Sequence, residues 1–154
     1  MLTLDKTDIT ILNLLQGNGR MKRNQLAEET GLSLPAVSER MRKLEARGII
    51  SGYRAVLDAK KLGRDILAFV QVRIGSSRHY DDLVRHVKEE PEILECHAIT
   101  GEGSHLLKIL TTDTDGLEKI LSRIQRWKGV TGTITSVVLS TIKETTSIPL
   151  TDKS

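Results

Sequence analysis

Cysteine is almost missing from this 154-residue chain, where Cys96 stands alone. One thiol builds no disulfide framework and no thiolate metal cluster, so a reducing, cytoplasmic setting is expected. Aromatic residues are also scarce, at 3%: Phe69, Trp127, Tyr53 and Tyr80. Single-stranded nucleic acids are held largely by stacking on aromatic platforms, and that mode of binding is disfavoured here. No apolar run approaches the ~18 residues that span a bilayer. The opening MLTLDKTDI lacks the basic and apolar regions of a signal peptide, so no membrane partner is expected. The chain has no nucleophile elbow, phosphate loop or metalloprotease helix. His79, His86, His97 and His105 follow no metal-ligand spacing, and the adjacent Cys96 and His97 point to opposite faces of a strand. Neither a metal nor a cofactor is expected.

What is present points elsewhere. Hydrophobic residues make up 38% of the chain, enough for one or two small cores. The net charge of +3 hides an asymmetry. Through Arg64 there are twelve basic and seven acidic residues, a balance of +5; the remainder carries −2. A basic first part can neutralise phosphates, whereas the second is too acidic to be the main surface for DNA.

The first part reads as three helices. Asp5 and Asp8 form an acidic version of the capping box, Leu4 can staple to Ile9, and Ile9, Ile11, Leu12 and Leu15 repeat at helical spacing. Gly17-Asn18-Gly19 ends that helix. A second helix is expected from about Arg23 to Thr30, with Lys22 where a capping Ser or Asp would be useful. Ser33 caps a third, with Pro35 in its first turn, Val37, Met41 and Leu44 facing inward, and Gly48 at its end. Four residues separate the small Ala27 from Leu32, Gly31 makes the turn, and Val37 packs back. This is helix-turn-helix spacing, whose second helix enters the major groove of duplex DNA. Ser33, Pro35, Ala36, Ser38, Glu39 and Arg42 lie away from the inward stripe. The serines can donate or accept, Ala36 can touch a thymine methyl, and Arg42 can read guanine or hold phosphate. Glu39 can accept from cytosine or pair with Lys43. Arg20, Lys22, Arg23, Arg40 and Lys43 are expected to neutralise phosphates.

A strand is expected from Gly52 to Leu57, then a linker at 58–64. From Ile66 the period changes to two, with Ala68, Val70, Val72 and Ile74 on one face. Tyr80, Leu83, Val84 and Val87 return to helical spacing before Pro91. Strands at about Ile93 to Thr100 and His105 to Thr112 flank the turn Gly101-Glu102-Gly103-Ser104. A helix carries Leu117, Ile120, Leu121 and Ile124, and a last strand is expected from Val130 to about Lys143. The order β-α-β-β-α-β is the ferredoxin-like split βαβ, with helices on one sheet face. The fold class is thus α+β, with a helix-turn-helix domain at 1–57 and a ferredoxin-like domain at 65–154. The chain holds no element to cover the other sheet face, and a second copy of the sheet is the economical cover.

The chain resembles the Lrp/AsnC family of transcription regulators, also called leucine-responsive or feast/famine regulators. The matching stretches are LDKTDITILNLLQGNGR, LAEETGLSLPAVSERMRKLEARGIISGYRAVLD, CHAITGEGSHLLKI and GVTGTITSVVLSTIKET. The resemblance implies a winged helix-turn-helix domain joined to an ACT-like regulatory and oligomerisation domain, with nucleoid-associated control of amino-acid or related metabolism. It also implies homodimers that build tetramers or octamers. An amino-acid effector at interfaces between regulatory domains is implied as well, pointing to Gly101, Glu102, Gly103, Ser104 and His105, with Thr133, Thr135 and Ser136. Glycines let backbone N–H groups approach a carboxylate. Many members carry Gly-Asp-Tyr-Asp-Tyr in this turn, whereas this chain reads Gly-Glu-Gly-Ser-His. An effector site and a plain tight turn both remain open at this point. An effector-independent architectural DNA protein is the second reading. A small ferredoxin-like enzyme using Glu102, His97 or His105 as acid or base is the third, and it leaves residues 1–57 unexplained.

Overall fold

Asp5 starts the first helix as its spacing requires. Its carboxylate accepts from the Asp8 N–H at 2.8 Å, and Asp8 accepts in return from the Asp5 N–H, so two orphan donors are satisfied at once. This computed structural model describes residues 4–101 and 103–150. Helix α1 spans Lys6–Gly17, α2 Arg23–Thr30 and α3 Leu34–Ala46. Helix α2 lacks a side-chain cap at Lys22, but the Lys22 N–H donates to Gln25 Oε1 at 3.0 Å. Gly31 ends it at φ +66°, a left-handed conformation that only glycine adopts without strain, and the Leu32 N–H returns to the Ala27 carbonyl. Ile11, Leu12, Leu15, Leu26, Val37, Met41 and Leu44 form the core of this unit.

The chain divides into two units, Met1–Val56 with Lys143–Ser154, and Leu57–Ile142. The segment after Ile142 therefore groups with the helices, whereas the sequence placed it with the second domain. The physical link is Gln16: its Nε2 donates to the Ile148 carbonyl at 3.0 Å, and its Oε1 accepts the Ile148 N–H at 2.6 Å. Leu150 also packs, half-buried, against the helical core.

The second unit contains β1 (Ile66–Ile74), α4 (Tyr80–Glu89), β2 (Ile93–Ala98), β3 (His105–Thr111), α5 (Thr114–Gln125) and β4 (Val130–Val137). Single 3-10 turns lie at Lys60–Leu62 and Ser77–His79. The sheet order is β2-β3-β1-β4 with every neighbour antiparallel, the ferredoxin-like arrangement. Ala68, Val70, Val72, Leu107 and Ile109 face Leu83, Leu117, Ile120 and Ile124 in one core. The opposite face presents Phe69 and Gln71, with their partners Lys108, Leu106, Ser136 and Ile134.

Two expectations change. Residues 52–57 form no strand, and Val56 is 96% exposed; among the described residues no strand lies beside the segment to share a ladder. The last strand stops at Val137 instead of reaching Lys143. Its partner β1 begins at Ile66, and the Val138 N–H to the Leu67 carbonyl is the final rung.

Candidate nucleic-acid interface and effector site

Helix α3 turns Val37, Met41 and Leu44 inward, all under 10% exposed, and leaves an outer face of mixed polarity. Pro35, Glu39, Arg42 and Lys43 are exposed there, and Ala36 and Ser38 are half-buried. Ser33 is exposed, and its hydroxyl accepts from the Ala36 N–H at 3.4 Å, so it caps the helix as expected. Glu39 and Arg42 form a fork: Arg42 Nε donates to Oε2 at 2.9 Å and Nη2 to Oε1 at 2.7 Å, with Lys43 Nζ 3.6 Å away. The Arg42 hydrogen bonds hold the Glu39 carboxyl down to about 2.

Arg40 departs from its expected part. Its Nη1 lies 2.6 Å from Asp5 and 2.7 Å from Asp8, the two residues that cap α1. Both carboxylates raise the guanidinium pKa further, and the charge is spent tying α3 to α1 instead of waiting for phosphate. Arg20, Lys22 and Arg23 are exposed and make no ion pair among the described residues. Lys22 and Arg23 border a cleft of about 550 Å³ beside Ser38. Leu34, Glu45, Asn24 and Tyr53 also line this cleft, and the Tyr53 hydroxyl donates to Glu45 at 3.0 Å. Sequence reasoning had passed over these four. Leu34, Ser38, Met41 and Glu45 recur at four, three and four residues, a second helical stripe that would have marked the flank.

In the sheet unit the structure brings Gly103 and Thr133 of the residues assigned to an effector to one cavity and sends others apart. Gly101 turns the chain at φ +105°, and Glu102 lies outside the described residues. Ser104 is absorbed by the sheet: its Oγ donates to the Val72 carbonyl at 2.9 Å and accepts from the Ile74 N–H at 3.2 Å. His105 faces the helices, 7% exposed and 5.7 Å from the Tyr80 ring centroid. Its Nδ1 is 3.1 Å from Ser104 Oγ and its Nε2 has no partner among the described residues; burial pushes its pKa below the ordinary histidine value. Thr133 and Thr135 pair with Val72 and Val70 and so share the helix-covered side, where Thr133 Oγ1 accepts from Gln125 at 3.3 Å. Ser136, opposite Phe69, lies on the open face. What the fold does gather is a cavity of about 70 Å³ among Gln71, Arg73, Gly103, Gly132, Thr133 and Ile134. A Cβ on Gly103 would stand 3.4 Å from that of Gln71, so this turn residue lies directly against the strand that lines the cavity. The signal for Gln71 and Arg73 was there: two polar residues at strand period among apolar ones.

No group of three potential metal ligands occurs among the described residues, and no described helix is long and apolar enough to cross a membrane.

A three-helix reading head joined to a ferredoxin-like domain defines a two-part DNA-binding regulator. Residues 4–51 match the winged helix-turn-helix DNA-binding family, and residues 67–148 match the Lrp/AsnC ligand binding domain. The chain belongs to the Lrp/AsnC family of transcription regulators. It is 35% identical over 147 residues to the HTH-type transcriptional regulator FL11 of Pyrococcus horikoshii, covering 96% of this chain and 97% of that protein. Among solved structures, the L-methionine complex of transcriptional regulator NMB0573 from Neisseria meningitidis matches at TM-score 0.92 and 38% identity. That match covers 96% of this chain and 97% of the other. AsnC of Escherichia coli matches at TM-score 0.90 and 29% identity, over 96% and 100%.

Proposed function

We propose that this chain is a sequence-specific, non-enzymatic transcription regulator that reads duplex DNA with the outer face of α3 and responds to a small amino acid. The observation that carries the reading is the sorting of α3: an apolar stripe sealed inward, with Ser38, Glu39, Arg42 and Lys43 outward. Arg20, Lys22, Arg23 and Lys43 hold phosphates, while Ser33, Pro35, Ala36 and Ser38 approach base edges. Arg40 is left out of this set because Asp5 and Asp8 already hold it.

The effector site is proposed at the open-face cavity. Arg73 lines the cavity with a positive charge, and Gly103 and Gly132 border it without side chains. At about 70 Å³ the cavity is far smaller than the roughly 300–1,000 Å³ of ordinary ligand pockets. It becomes a site when a second copy covers the open face, so the effector and the assembly are coupled. An effector acts only by favouring one assembly state over another. Homodimers that assemble further, in the cytoplasm and on the nucleoid, complete the proposal.

The test is selection of bound duplexes from random DNA, with and without a mixture of the twenty amino acids. A symmetric site whose recovery changes with the mixture is the expected result. A symmetric site indifferent to every amino acid favours an architectural role, and no enriched site removes the reading.

A further inference from the structure

The guanidinium of Arg42 has two hydrogen-bonding edges, and they are in different states. The side edge, Nε with Nη2, is filled by the Glu39 carboxylate at 2.9 and 2.7 Å. The end edge, Nη1 with the second proton of Nη2, makes no hydrogen bond among the described residues. That end edge is a parallel pair of donors, the arrangement that fits O6 and N7 of guanine in the major groove. Side chains on a helix lean toward its N-terminus, so Arg42 reaches back over Glu39 toward the half of α3 that contacts base edges. Both side chains are open to a duplex, Arg42 at 66% and Glu39 at 47% exposure.

We propose that Glu39 is a positioning residue for base reading: by clamping the side edge of Arg42 it aims the end edge outward and commits that arginine to guanine. This rests on the reading of α3 as the recognition helix. Two physical effects favour guanine over phosphate. A freely rotating arginine swings to the nearest phosphate, whereas a clamped one has already lost most of its rotamers before DNA arrives. A carboxylate beside the guanidinium also offsets its charge, which weakens attraction to phosphate while leaving the directional donor pair intact. In this arrangement Glu39 serves Arg42, each of its oxygens accepting one hydrogen bond from the guanidinium.

The experiment is duplex selection with the full chain and with Arg42→Ala, Arg42→Lys, Glu39→Gln and Glu39→Asp, each checked for native circular dichroism. The wild type should select guanine at one position of each half-site, and Arg42→Ala should lose that preference, a change on the order of tenfold in guanine over adenine. Arg42→Lys should also lose it, because a point charge does not replace the fork. Glu39→Gln should relax guanine preference at that same position while raising affinity for random DNA. Glu39→Asp, too short to hold the fork but still charged, should relax the guanine preference with a smaller gain for random DNA. Full guanine preference in Glu39→Gln overturns the positioning role, as does a uniform gain across all sequences. Wild-type protein that selects no sequence overturns instead the underlying reading of α3, so the two failures are distinguishable.

Discussion

At the scale of single residues, position in the sequence did not settle role. Arg40 and Arg42 are two residues apart on one helix, yet the first is held by Asp5 and Asp8 and the second stands outward with Glu39. The partners of Arg40 lie 35 and 32 residues away, and no local pattern announces them. His105 shows the same limit. Its place after the glycine turn suggests a ligand contact, but strand alternation sends it under the helices, with Nε2 unpartnered among the described residues. Burial disfavours its imidazolium, so the folded protein keeps it neutral below the ordinary value near 6.5. The unfolded chain takes up that proton first, and stability is therefore lost as pH falls below about 6.5. His105→Leu should remove this contribution. Urea unfolding at about pH 7.5 and 5.5 should show a smaller loss in the variant than in the wild type. Equal losses would mean that His105 is not buried neutral.

At the scale of elements, what was readable was what is local. The Asp5–Asp8 box, the Gly31 turn, the Val37–Met41–Leu44 stripe and the alternation of β1 each carry their cause within a few residues, and each is found. The errors fall where a partner decides. The segment 52–57 has strand composition but no ladder neighbour, and β4 ends where β1 runs out. Alternation along β4 puts Thr133 and Thr135 on one face and Ser136 on the other. The attachment of the last described segment to the helices was equally invisible, because it rests on Gln16 bonded 132 residues away and on Leu150 packed against a distant core. Gln16→Ala should destabilise the helical unit by about 1 kcal/mol, the usual net worth of such hydrogen bonds. Hydrogen exchange should show protection of the Ile148 amide in the wild type and its loss in the variant. An Ile148 amide that already exchanges freely in the wild type would deny the attachment.

For the whole molecule, one sheet face is sealed by α4 and α5, and the other carries Phe69, Leu106 and Ile134, the last 51% exposed. A soluble chain seldom leaves such a face bare, and the helical head is too small to be very stable alone. Association through this face would pair the heads, give the operator two-fold symmetry and close the cavity beside Gly103. Ile134→Glu places a charge in the middle of that contact. Analytical ultracentrifugation at micromolar concentration should find the wild type associated and the variant shifted toward monomer. DNA affinity should fall with it. A wild-type monomer, or a variant with unchanged assembly, would show that the open face is not where copies meet.

The most direct trial of the account is methylation interference on a selected operator with the unaltered protein. If the outer face of α3 enters the major groove, methyl groups at guanine N7 block binding at one cluster in each half-site, with the clusters about 10 base pairs apart or a multiple of that. Binding that tolerates every N7 methyl group but fails on methylation of adenine N3 would put the protein in the minor groove, and α3 would not be the reader.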